Sequence, residues 1–75
     1  MKRSPVISSN LVSVGYDDDS QVLEIEFWHS VIYQYFEVPS EVYHQLMGAQ
    51  SKGRYHAYAI KWAYRFQSVN SVSMP

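Results

Sequence analysis

The sequence predicts an α+β domain: a three-stranded antiparallel β-meander followed by two short α-helices packed on one face. Three observations carry that expectation. Leu23, Ile25 and Phe27 alternate with Glu24 and Glu26, the period of a half-buried strand. Turn-forming residues bracket that run at Asp17-Asp18-Asp19-Ser20 and at His29-Ser30. Beyond Pro39 the apolar period lengthens to helical spacing, at Val42, Tyr43, Leu46 and Met47.

Taken in order, the first strand is expected over Asn10 to Tyr16, where Val12 and Val14 alternate with Ser13 and Gly15. The aspartate run then turns the chain, because Asp and Ser side chains bond to nearby backbone. Val22 to Trp28 forms the second strand and Val31 to Val38 the third, ended by Pro39, which lacks an amide donor. A two-residue connection at His29-Ser30 would set Trp28 opposite Val31, Phe27 opposite Ile32 and Glu26 opposite Tyr33. Leu23, Ile25, Phe27, Ile32 and Phe36 would then share a core face. Glu24, Glu26, Trp28, Tyr33 and Tyr35 would share an amphipathic one. A connection one residue longer would move the tyrosines to the core side. Ser40 is expected to cap a first helix over about Glu41 to Ala49, with Glu41 favourable in its first turn. Ser51-Lys52-Gly53 breaks it. A second helix follows from about Arg54 to Lys61 or Tyr64, with Ile60 and Ala63 inward, unless Tyr64-Arg65-Phe66 begins a short extended piece.

With 75 residues the chain holds one domain, expected over 1–66, with 67–75 a frayed tail. A core this small is marginal. There are no cysteines, which removes disulfides and thiolate metal sites and fits a reducing cytoplasm, the expected location. Seven Tyr, two Trp and three Phe supply the compensating burial, or the surface for self-association. No run approaches the roughly 18 apolar residues of a membrane span. Met1-Lys2-Arg3 is followed by serines, a proline and an asparagine rather than by the apolar stretch of a signal peptide.

The formal net charge is −1, but all seven acids lie between Asp17 and Glu41, and beyond Glu41 only bases follow: Lys52, Arg54, Lys61 and Arg65. Such asymmetry marks either a nucleic-acid face or two solvated faces of opposite sign. Among the bases stand Tyr55, His56, Tyr58, Trp62, Tyr64 and Phe66. Bases track phosphates, and aromatic rings stack on unpaired bases. Tyr33 and Tyr35 on the sheet are a second stacking candidate, opposed by the charges of Glu24 and Glu26.

No catalytic or metal constellation stands out. His29, His44 and His56 lack the i, i+4 spacing of a helical metal site. Ser8-Ser9 has no nucleophile elbow around it and reads as hydroxyls bonding nearby backbone. The aspartate run lacks the alternation, glycine and closing glutamate of a calcium loop. Lys52-Gly53-Arg54 before a helix could meet a phosphate, but one glycine is also explained by a turn. No cofactor is expected.

An ordered set of short pieces resembles the KTSC domain, a small domain found at the C-terminus of some lysyl-tRNA synthetases and as stand-alone proteins. It runs through Val6 and Ser8-Ser9, Gly15-Tyr16-Asp17, Leu23 to Phe27, Tyr33-Gln34-Tyr35 and Val38-Pro39. It continues through Val42-Tyr43, Leu46, Ala49, Ser51-Lys52-Gly53-Arg54-Tyr55, Ile60 and Tyr64-Arg65-Phe66. The chain departs from the family where an aromatic-Asn pair usually follows the tyrosine, here His56-Ala57. It departs again where a turn glycine often stands, here Ser30, and where a base commonly splits the Tyr-x-Tyr pair, here Gln34. The resemblance implies no established activity, and its attachment to a tRNA-charging enzyme suggests RNA by analogy.

The expectation is therefore a non-enzymatic module that binds RNA or other nucleic acid through Lys52, Arg54, Tyr55, Tyr58, Lys61, Trp62 and Arg65. The alternative is a protein-interaction or self-association module that uses Trp28, Tyr33 and Tyr35. No membrane partner is expected.

Overall fold

The computed structural model describes residues 1–69 and folds them as an α+β domain. Five strands follow one another in a single antiparallel sheet of order β1-β2-β3-β4-β5. They are β1 (Ser4–Pro5), β2 (Leu11–Asp17), β3 (Val22–Phe27), β4 (Val31–Tyr35) and β5 (Phe66–Ser68). The helical layer, α1 (Ser40–Gly48) and α2 (Lys52–Tyr55), lies between β4 and β5 in sequence. The three central strands match the expected meander, and two short edge strands extend it. At two and three residues, β1 and β5 are too short to show an alternating pattern. Gln67 and Ser68, expected to be frayed, belong to β5, and the Val69 amide donates to the Ile32 carbonyl at 2.8 Å. The rest of the expected tail lies outside the described residues.

The β3–β4 connection corrects the expected register. Phe27 pairs with Val31, so Trp28, His29 and Ser30 all belong to the connection, and Tyr33 and Tyr35 face Ile25 and Leu23. The longer connection wins because it buries two tyrosine rings against the aliphatic row. It also sets Gln34 beside Glu24, where Gln34 Nε2 donates to Glu24 Oε1 at 2.8 Å. Tyr35 is buried at 3% exposure. Ile32, assigned to the core by the shorter connection, lies opposite Glu26 on the outer face. Phe36 lies past the end of β4, under the Arg65 guanidinium.

A bulge at Val12 makes a second adjustment. Leu11 pairs with Phe27 and Ser13 with Glu26, so Leu11 and Val14 both point into the core although three residues apart. On the outer face Ser13, Glu24, Glu26 and Gln34 form a polar network closed by Arg3. Its guanidinium bonds Ser13 Oγ at 2.8 Å, pairs with Glu24 and lies 3.6 Å from Glu26. Gly15 makes room for that strap: a Cβ there would stand 2.7 Å from the Lys2 carbonyl oxygen.

The core fills the other face. Leu11, Val14, Leu23, Ile25 and Tyr35 meet Val38 from the connection, Leu46 from α1 and Ile60 from the second helical segment. Tyr16 stacks on Tyr43 of α1 at 5.0 Å, and its hydroxyl donates to the Val38 carbonyl at 2.5 Å, pinning the chain where it enters α1. Val42, Tyr43 and Met47 pack against this core as the helical spacing predicts. The cap of α1 is Pro39 and carries no side-chain hydrogen bond, so Ser40 is the first helical residue rather than the cap.

The second helix departs most from expectation. It begins at Lys52, with the Ser51 side chain accepting from the Arg54 amide at 3.2 Å. It then widens into a π turn over His56–Ile60, marked by the bond from the Lys61 amide to the His56 carbonyl at 2.9 Å. His56 and Ile60 are both buried there, and Ala63, expected inward, is exposed.

Candidate nucleic-acid interface

The π turn fixes what the second half of the chain shows to solvent. With His56 and Ile60 turned inward, Tyr58 and Trp62 are left 88% and 84% exposed. They stand four residues apart, one turn from each other. Lys61 Nζ lies 5.1 Å from the centre of the Trp62 ring, which places a cation beside a stacking surface. Large rings this exposed on a small domain contribute little to its own stability, which makes them candidates for contact with something else.

The seven expected contact residues divide. Tyr58, Lys61 and Trp62 are exposed, and Arg54 is exposed one turn before Tyr58. Arg54, Tyr55 and Tyr58 line a shallow recess of about 390 Å³ beside the end of α1. Tyr55 itself is half-buried, with its hydroxyl donating to Gln45 Oε1 at 2.7 Å, and burial raises its pKa above the usual phenol value. Lys52 Nζ donates to the Ala49 carbonyl at 3.2 Å and serves as a clasp on the end of α1. Arg65 lies over the Phe36 ring at 5.4 Å.

The three residues of the alternative face are dispersed. Tyr35 is buried, Tyr33 packs against the core, and both lie on the helix side of the sheet, so they do not form the expected open tyrosine face. Trp28 sits in the β3–β4 connection, half exposed, with its indole N–H directed at the Ser8 carbonyl at 3.4 Å. Ser8 Oγ accepts from the Asn10 and Leu11 amides, so this serine shapes its own loop.

Two recesses adjoin at His56 and Lys61. One, of about 700 Å³, extends from Lys61 past Phe27 and Trp28 to Ser9 and Asn10. The other, of about 130 Å³, is walled by Tyr33, Tyr35, Trp62 and Phe66. Among the described residues, no carboxylate lines either one. The carboxylates of β3 lie on the opposite face of the sheet, tied to Arg3. Phe27, His56, Phe66 and Asn10 are contributors that sequence reasoning did not assign to a site. Phe66 carried a signal, as an aromatic next to a base at the start of an extended piece. Asn10 carried none, since it reaches the site by packing against Gly53, where a Cβ would stand 2.6 Å from its side-chain nitrogen.

At the floor between the recesses, His56 Nε2 and the Tyr35 hydroxyl share a hydrogen bond of 2.7 Å. Burial, with a smaller contribution from the Lys61 charge, lowers the His56 pKa to about 4. Burial likewise raises the Tyr35 pKa to about 12. Both groups are neutral near pH 7, so the positive charge at this site belongs to Lys61.

Comparison with known proteins identifies the fold. The chain is 47% identical over 55 residues to an uncharacterized protein of Stutzerimonas stutzeri, an alignment that spans 73% of this chain and 78% of that one. It is 36% identical over 56 residues to a lysine–tRNA ligase of Nostoc punctiforme, where the match covers 75% of this chain but only 10% of the ligase. The crystal structure of a KTSC domain protein from Yersinia pestis superposes with a TM-score of 0.86 at 41% identity, covering 88% of this chain and 93% of that one. The KTSC domain model matches residues 7–64, and the chain belongs to the KTSC domain family.

Proposed function

We propose that this chain is a non-enzymatic module that binds single-stranded RNA or other nucleic acid along the outer edge of its second helical segment. The carrying observation is the exposure of Tyr58 and Trp62, 88% and 84%, on a segment whose charges are all positive. Arg54 and Lys61 supply phosphate contacts and the two rings supply sequence-tolerant stacking. The occurrence of a similar segment in lysine–tRNA ligases supports the reading by context. Filter binding of tRNA and of single-stranded oligonucleotides across a salt series tests it. The expected result is an affinity that weakens as salt rises, with a slope near that of two to four phosphate contacts, about −1.5 to −3 on a log–log plot. Absence of any salt-dependent binding tighter than about millimolar would reject it.

A second reading is favoured by one observation. Ile7 is 98% exposed and Trp28 54%, an apolar pair that a protein partner or a second copy of the chain would cover. Sedimentation over a range of concentrations separates the two. A monomer at every concentration leaves self-association without support.

A further inference from the structure

We infer that the small recess between Tyr33, Tyr35, Trp62 and Phe66 is a slot for one unstacked nucleobase, with Lys61 holding the phosphate at its edge; this rests on the nucleic-acid reading. Tyr33, Tyr35 and Phe66 pack on one another as a single aromatic wall, with Tyr33 meeting Phe66 at 5.2 Å and 76° and Tyr35 meeting Phe66 at 5.8 Å and 40°. Trp62, Lys61 and His56 complete the lining. Phe66 and Trp62 are 51% and 84% exposed, so half of the lining is held open to solvent. The edge strand that bears Phe66 is fixed by its pairing with β4, where Phe66 lies opposite Tyr35 and Ser68 opposite Tyr33. The slot therefore exists without a ligand to order it.

The charge pattern selects the occupant. An ammonium guest, the usual tenant of an aromatic cage, would face the Lys61 charge with no carboxylate among the described residues to offset it. A hydrocarbon guest would gain nothing from Lys61. A flat, uncharged ring joined to an anionic group satisfies both halves of the site, and a nucleotide within a strand has that form. The adjoining cleft extends the path. It shares His56 and Lys61 with the slot and offers the Trp28 ring with the polar side chains of Ser9 and Asn10 to a neighbouring nucleotide. A strand crossing at Lys61 would place one base in the slot and direct the next toward Trp28.

Fluorescence anisotropy with labelled oligonucleotides of about eight nucleotides tests this, in RNA and DNA forms and in a wholly abasic form of the same length. An intact strand of either kind should bind about tenfold or more tightly than the abasic one, since charge alone is then insufficient. Phe66→Ala should weaken the intact strand by a similar factor and leave its salt slope unchanged. Photo-cross-linking of a thiouridine-containing strand to the unmodified protein should mark Trp62, Phe66 or Tyr33, a readout independent of the folding of any variant. Equal binding of intact and abasic strands overturns the slot. So do cross-links confined to Tyr55 and Tyr58, or Phe66→Ala binding within twofold of the original. In those cases the nucleic-acid reading survives, whereas failure of every strand to bind overturns both.

Discussion

Burial holds both His56 and Tyr35 neutral, and that sets limits on stability with pH. The His56 pKa falls from 6.5 to about 4 in the fold, so the unfolded chain binds the extra proton between those values. Stability is fully present above pH 6.5 and declines as pH falls toward 4, by on the order of 2 kcal/mol once solvent screening is allowed for. Tyr35 has the opposite sign. Its pKa rises from 10.0 to about 12, so stability is present below pH 10 and is lost as pH rises through 12. Chemical denaturation across pH should therefore show a plateau between about 6.5 and 10 with a decline on each side. His56→Phe should remove the acid decline that comes from this site. The Tyr35 hydroxyl gives the buried His56 ring its hydrogen-bond partner.

At the scale of elements, the β3–β4 connection governs which rings are buried. Its last two residues, His29 and Ser30, have φ of 77° and 64°, a region that side chains other than glycine occupy at a cost. Ser30→Gly should relieve that strain and raise stability by on the order of 0.5 kcal/mol, after the added flexibility of the unfolded chain is counted. Urea unfolding reads the gain, and a loss of stability would show that Ser30 makes a contact worth more than the strain. The same connection shows where the sequence was legible. The alternation over Leu23 to Phe27 and the helical stripe of Val42, Tyr43, Leu46 and Met47 depend on nearest neighbours, and both appear as read. The register of β4 depends on a single residue of loop length, which composition does not reveal. The π turn was illegible for a different reason: His56 and Ile60, four residues apart, share a face at either helical pitch, and only the backbone bond from Lys61 to His56 marks the widening. Edge strands of two and three residues leave no period to read. For the site, the rings and bases of the second half were legible as a group. Their division into exposed Tyr58 and Trp62, a clasping Lys52 and an Arg65 laid over Phe36 was not, because it follows from the pitch of one turn.

Across the whole molecule, the sheet separates two kinds of surface. On its outer face Arg3 pairs with Glu24 and Glu26 and Gln34 donates to Glu24, while the helical side carries the exposed rings with Arg54 and Lys61. Four residues among those that carry the resemblance account for much of this architecture. Gly15 admits the N-terminal strap, Tyr16 fastens the Val38 carbonyl, Ser51 caps α2, and Gly53 lets Asn10 approach. The exposed rings and bases of the second half are what those residues do not explain, and the proposed interface predicts where a strand would touch. Amide chemical-shift mapping during titration with a single-stranded oligonucleotide at low salt tests it directly. Shifts should cluster at 53–66, with a second group near Trp28, and leave Ser13, Glu24 and Gln34 unmoved. Shifts centred on the outer face of the sheet, or none at saturating strand, would contradict the account.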